Sequence, residues 1–197
     1  MMDVLLIDAS PADDCRTAEA ADALALEVEA GGGAVERRRL ADLDLRACTG
    51  CFGCWVKTPG ECVIADDGRA LAASVIASDV FALVTPVRFG TYGSLGKSAL
   101  DRMNPLILPF FKRINGETHH GQRYPRFPRY VVLGTSALAD KRALSAETAV
   151  FGRLVGRNAI NLHCPSYASA LVGPSDDPAV IAARMIEAVR CSKEVAA

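Results

Sequence analysis

Short apolar runs alternate with amphipathic stretches along this chain, and the alternation repeats five times. Val4-Leu5-Leu6-Ile7 is an apolar run bounded by polar residues, the pattern of a strand buried on both faces. From Arg16 to Ala30 helix formers dominate, with Ala20, Ala23, Leu24 and Val28 at helical spacing, and Gly31-Gly32-Gly33 ends the segment. Ala34 to Leu40 predicts a strand, and Glu36-Arg37-Arg38-Arg39 assigns it to a sheet edge, where charge discourages strand addition. Arg69 to Ala77 predicts a helix, and Val80 to Val84 the clearest buried strand. Leu95 to about Phe111 is expected to be helical, kinked or divided by Pro105 and Pro109. Asn115 to Pro128 is polar and without clear periodicity. Tyr130 to Leu133 predicts the fourth strand, Lys141 to Val155 a helix, Ala159 to Leu162 the fifth strand, and Pro178 to Val189 the last helix, opened by its proline.

Such alternation implies a parallel sheet with right-handed crossovers and helices on both faces. The expectation is an α/β, doubly wound, five-stranded sheet of flavodoxin-like order 2-1-3-4-5, its switch point between strands one and three. Another mixed α/β arrangement is the alternative. No repeat or linker divides the chain, so residues 1–197 read as one domain with a cysteine-rich insertion loop at 45–67. At 197 residues, folding buries roughly 70% of the unfolded surface, which supports a core without disulfides.

Charge narrows the partners. Lys and Arg total 22 against 23 Asp and Glu, leaving no basic excess to neutralise the phosphates of a nucleic acid. No apolar run approaches the ~20 residues of a membrane span. Met1-Met2-Asp3-Val4 lacks the charged lead and cleavage site of a secretory signal, so the expected location is cytoplasmic.

In a doubly wound sheet, ligands bind beyond the carboxyl ends of the strands. Loops 8–17, 44–67, 85–93 and 134–136 should therefore share one rim. In the first, the start of a helix and the hydroxyls of Ser10 and Thr17 suit a phosphate, though plain N-capping by Asp13 or Asp14 explains the loop equally well. The dinucleotide fingerprint G-x-G-x-x-G is absent, whereas FMN, with a single terminal phosphate, needs one such cradle. Asp13 and Asp14 are awkward neighbours for that group, with Arg16 as an offset. In the third loop, Gly90 and Gly93 admit close approach of backbone to a flat ring, beside Phe89 and Tyr92; the alternative is a turn whose aromatics cover the core. Lys97 and Asp101, four apart, read as an exposed ion pair.

Thr85-Pro86-Val87, Lys97 and Asp101-Arg102-Met103 resemble the NADPH-dependent FMN reductase branch of the flavodoxin-like superfamily. Ser10, Pro11 and Thr17 match that family's phosphate loop, Ser-Pro-Arg-x-x-Gly-Asn-Thr. Ala12 replaces its arginine, and Cys15-Arg16 its Gly-Asn. Gly134-Thr135-Ser136 is similar to the loop that lies against the flavin. The resemblance implies FMN as cofactor, NAD(P)H as electron donor, and a homodimer or homotetramer. It assigns the phosphate to Ser10, Pro11 and Thr17, to which the loop's own cation Arg16 is added, and the expected ring contacts are Pro86, Val87, Arg88, Phe89 and Gly90, with Thr135 and Ser136 alongside.

Seven cysteines are present, four of them between Cys48 and Cys62. Cys48, Cys51 and Cys54 are separated by two residues each, as in runs that surround an iron–sulfur cubane. Thr58-Pro59-Gly60-Glu61 suits a type II turn that folds Cys62 back as a fourth ligand. The spacing is similar to that of the iron–sulfur flavoprotein family, which implies one [4Fe-4S] cluster on Cys48, Cys51, Cys54 and Cys62. Structural zinc, a reversible dithiol or no occupant are the alternatives. Cys164 and Cys191 read as small buried hydrophobes, and His119 and His120 as solvated loop residues rather than metal ligands, with a place at a subunit interface as the open alternative.

The resulting expectation is an FMN oxidoreductase that passes electrons from NAD(P)H to a small-molecule or protein acceptor, directly or through a cluster. The flavin carries the chemistry, so no side chain is assigned proton transfer. A cluster-free quinone or FMN reductase and a non-enzymatic electron carrier are the alternatives.

Overall fold

The computed structural model describes residues 2–114 and 116–191. Its sheet has the order β2-β1-β3-β7-β8, formed by β1 (Asp3–Asp8), β2 (Ala34–Arg39), β3 (Val80–Arg88), β7 (Arg129–Thr135) and β8 (Tyr167–Val172), all parallel. In order of appearance these five strands run 2-1-3-4-5, as expected of the doubly wound class. A short β4 (Thr91–Tyr92) adds an antiparallel hairpin to the end of β3.

Period-two burial sorts the side chains between the two faces. On one face Val4, Leu6, Ala82, Val84, Val131 and Leu133 meet α1 (Cys15–Ala30) and α6 (Pro178–Cys191). On the other, Leu5, Ile7, Phe81, Leu83 and Val132 meet α3 (Gly68–Ala77), α4 (Ser94–Asp101) and α5 (Lys141–Asn161). A one-turn helix, α2 (Gly53–Val56), lies within the cysteine segment. The charged strand β2 is at the edge, as its sequence predicts. No helix among the described residues is long and apolar enough to cross a membrane.

Two segments differ from the sequence-based expectation. The helix proposed from Leu95 to Phe111 stops at Asp101; Asn104–Leu106 forms a 3₁₀ turn, and β5 (Ile107–Ile114) pairs with β6 (Glu117–Gln122) as a separate antiparallel hairpin. Pro105 sits in the turn, and Pro109 falls where the register shifts between Ile107 and Phe111, an irregularity that tolerates a missing N–H. Of the polar stretch that follows, Asn115 lies outside the described residues. The expected strand at Ala159–Leu162 instead continues α5, because Phe151, Val155 and Ala159 form one buried helical stripe. The fifth strand is β8, whose edge position leaves Tyr167 exposed and removes the apolar signal.

Gly134 of β7 is closely enclosed by β8, β3 and α5. A Cβ there would lie 2.4 Å from Leu171 Cδ2, 2.7 Å from Val87 Cγ2 and 3.0 Å from Phe151 Cε1. Gly134→Val is expected to cost about 1–3 kcal/mol through overpacking, measured as a lower denaturation midpoint at unchanged m-value.

Candidate functional site

Strand register determines which residues share the rim. Asp8 at the end of β1 pairs with Val84, Pro86 of β3 with Thr135, and Thr135 with Val172 of β8. Strand β3 therefore overhangs β1 by Thr85–Arg88. Ser10, Pro86 and Thr135 consequently lie on the same edge of the sheet. Beyond Arg88 the chain reverses through Phe89 (φ 52°) and Gly90 (φ 72°), then returns at Thr91 paired with Arg88. Positive φ at both central residues is the requirement of a two-residue mirror-image hairpin turn, so this loop is a built hairpin. Its Phe89 is fully exposed at the tip.

The first loop is a network of carboxylates and their donors. Buried Asp8 accepts from Ser10 N at 2.9 Å and from Ser10 Oγ, and from Arg37 Nη2 at 2.7 Å. Asp14 is the N-cap of α1: it accepts from Thr17 N at 2.9 Å and from Thr17 Oγ1 at 2.7 Å. Thr17 Oγ1 in turn lies 2.5 Å from Thr135 Oγ1, joining the first loop to the end of β7. Arg16 crosses to the loop after β8, where Nη2 donates to the carbonyls of Gly173 and Asp176; its Nε is buried without a partner. Pro11 is only partly buried.

The wall beside these loops is apolar. Pro86 and Val87 are buried, while Arg88 is exposed and donates to its neighbour's carbonyl. Behind them Asn158 donates to the Tyr92 hydroxyl at 2.9 Å and Tyr130 to the same oxygen at 3.3 Å; burial holds both phenols above the ordinary range. Ser136 donates to Glu147 of α5 and accepts from Leu138 N. Lys97 and Asp101 form the expected exposed pair.

The cysteine segment is a closed excursion with a pinned neck. Arg102, 1% exposed, donates to both oxygens of buried Asp66 at 2.6 and 2.7 Å, and to the Arg46 carbonyl at 2.6 Å. Asp66 and Asp67 accept from the amides of Arg46 and Asp44, so the two ends of the excursion are tied together. Inside it, the turn Thr58–Glu61 closes as expected, with Gly60 at φ 93° and Glu61 N donating to Thr58 O at 2.8 Å. Cys54 is pushed up by burial and by neighbouring Cys62, Cys48 and Cys51; Cys51 is lowered by the Gly53 amide and the Thr49 hydroxyl. Asn104 Nδ2 approaches Cys48 Sγ at 4.0 Å, and Trp55 Nε1 donates to Asn104 O at 3.0 Å. Among the described residues no three His, Cys, Asp or Glu side chains are grouped closely enough to hold one metal ion.

The histidines read as solvated are structural. His119 is buried, with Nδ1 3.2 Å from Asn161 Oδ1, and His120 lies between Trp55 and Phe111 in tilted ring contacts. Cys191 is exposed, against expectation, whereas Cys164 packs against the core, where burial pushes its thiol up to about 12. Sequence reasoning missed the Asp66–Arg102 pair, because partners 36 positions apart leave no periodic trace.

A two-faced parallel sheet in this strand order, with hydroxyl-bearing loops over one rim, places the chain in the flavodoxin-like fold class. Residues 2–124 match the family model of NADPH-dependent FMN reductase, and the chain belongs to that family of oxidoreductases. An iron-sulfur flavoprotein of Archaeoglobus fulgidus is 37% identical over 84 residues, 43% of this chain and 37% of that one, so the match spans little more than a third of the relative's length. The fold is shared with an NAD(P)H:quinone oxidoreductase from Methanothermobacter marburgensis (TM-score 0.73, 15% identity, covering 98% of this chain and 99% of that one). It is shared too with an FMN-dependent NADH-azoreductase of Bacillus anthracis in complex with FMN (TM-score 0.64, 14% identity, 98% and 100% covered).

The Asp66 carboxyl is held down at about 2, against an ordinary 3.8, mainly by Arg102, so it stabilises the fold above pH 4 and loses that contribution as pH falls toward 2. Unfolding free energy should drop by roughly 2 kcal/mol more over this window in the native chain than in Asp66→Asn. Arg102→Leu, which strands a buried carboxylate, should cost about 3–5 kcal/mol at neutral pH by urea denaturation.

Proposed function

We propose that this chain is an FMN-dependent oxidoreductase that takes electrons from NAD(P)H and passes them to a small-molecule acceptor of the quinone type. The observation that carries the reading is the convergence of the ends of β1, β3 and β7, joined by the Thr17–Thr135 hydroxyl contact, in a member of a flavin-handling family. Support for the fit of FMN comes from the rim's own chemistry. The start of α1 supplies the amide and hydroxyl of Thr17, and Arg16 Nε is an orphaned buried donor at the same helix start, groups that would suit a phosphate. When bound, FMN supplies the hydride- and electron-transfer chemistry.

The residues have positioning roles. Ser10, Pro11, Arg16 and Thr17 would hold the phosphate end, while the backbone of Pro86, Val87, Arg88, Phe89 and Gly90 would lie along the ring. Thr135 and Ser136 would meet the flavin from β7. The buried apolar wall of Pro86 and Val87 would keep water from the reacting face. Exposed Phe110 and Phe111 on the β5–β6 hairpin offer an apolar surface to a second copy, in keeping with a homodimer or homotetramer.

A second reading adds a [4Fe-4S] cluster on Cys48, Cys51, Cys54 and Cys62. It is supported by the cysteine spacing and the similarity to a relative named iron-sulfur flavoprotein. Under it electrons leave singly to a protein acceptor.

Protein purified without oxygen should carry flavin absorbance and oxidise NADPH with added quinone. Flavin bound without any NAD(P)H oxidation would make the chain an electron carrier, and no flavin binding would sink the proposal. Iron and sulfide near four each per chain would establish the cluster, and less than one of each would exclude it. Thr135→Val should weaken flavin affinity about tenfold by fluorescence quenching, the loss of one hydrogen bond to a bound ligand.

A further inference from the structure

At the phosphate end of the rim the chain's own carboxylates already hold the Ser10 and Thr17 donors, and Arg16 Nε is left as an unpartnered one. Thr17 N and Thr17 Oγ1 both donate to Asp14. Ser10 N and Ser10 Oγ both donate to Asp8. Arg16, the cation of the loop, spends its Nη2 on the carbonyls of Gly173 and Asp176, and its Nη1 faces Glu19 at 3.6 Å. Arg37 pairs with Asp8 and with Asp22. Asp13 adds a third, exposed carboxylate between Asp8 and Asp14. A ligand phosphate can use the Thr17 donors only by displacing the Asp14 carboxylate, and the displaced charge then remains within one side-chain length of the dianion. Like charges so close repel strongly near a protein surface.

Resting on the flavin reading above, we propose that Asp14 is a specificity-determining residue: its carboxylate competes with the ligand's 5′-phosphate for the start of α1. The site therefore recognises a flavin by its ring and ribityl chain, with little benefit from phosphorylation. FMN and riboflavin bind with comparable affinity, and the phosphorylated form exchanges readily instead of being held as a permanent prosthetic group.

Asp14→Asn separates this role from capping, because asparagine caps a helix as well as aspartate does while removing the charge. The measurement is the dissociation constant of FMN and of riboflavin, by quenching of flavin fluorescence, for the native chain, Asp14→Asn and Asp13→Asn. Native protein is expected to favour FMN over riboflavin by less than about threefold. In Asp14→Asn, FMN should tighten at least tenfold while riboflavin changes less than twofold. Asp13→Asn, whose side chain is not on the Thr17 donors, should move FMN less than Asp14→Asn does. Inorganic phosphate should weaken FMN binding to Asp14→Asn more than to the native chain. Equal changes for the two flavins, or a native preference for FMN of a hundredfold or more, would overturn the assignment. If neither flavin binds any of the three proteins, the flavin reading fails and the role of Asp14 falls with it.

Discussion

Strand β3 is buried on both faces from Val80 to Val87, and its central place between β1 and β7 governs the rest of the molecule. A strand with no solvated face has no freedom to slip, because a one-residue shift would drive every side chain into the opposite layer. The register fixed in this way sets where each neighbouring strand stops. It brings the hydroxyls of Thr17 and Thr135 together and projects the Phe89–Gly90 turn beyond the sheet. The rim is thus a by-product of core packing. Its chemistry varies through loops that the sheet merely delivers to one place.

Much of this was legible in the residues. The doubly wound order, the charged edge strand and the Thr58–Glu61 turn follow from patterns that act locally, such as period-two burial, charge at an edge and proline-glycine turn chemistry. What was hidden depends on distant partners. Ala159–Leu162 is apolar enough for a strand, and only its stripe with Phe151 and Val155 keeps it helical. Phe110 and Phe111 resemble a helix terminus, but two prolines and the pairing partner in β6 make them a hairpin. His119 and His120 have an unremarkable polar context in sequence and gain their roles from Asn161 on α5 and from Trp55 in the cysteine segment. At the site itself, the hydroxyl and proline pattern pointed to the rim. The capture of Ser10 and Thr17 by the chain's own carboxylates required three dimensions.

Charge is distributed unevenly over the functional half of the chain. The rim near α1 gathers Asp8, Asp13 and Asp14, two of them already engaged with hydroxyl and amide donors. The cysteine segment instead leans on cations: Arg102 at its neck, and Arg69, whose Nε donates to Cys62 O at 2.8 Å and whose Nη1 pairs with Glu61. Backbone carbonyls released by an irregular loop need such donors wherever water is excluded. Burial pushes the Cys164 thiol up, which sets it apart from the accessible cysteines, Cys51 in the cysteine segment and Cys15 and Cys191 outside it.

The neck formed by Asp66 and Arg102 has an evolutionary consequence. A segment that departs and returns at a single clamped point imposes almost the same closure entropy whatever its length, since that cost grows only logarithmically. Its contents can be lengthened, trimmed or exchanged between relatives while the sheet keeps its geometry. The scaffold is thereby a chassis with an interchangeable cartridge, whose contents can change without rebuilding the core.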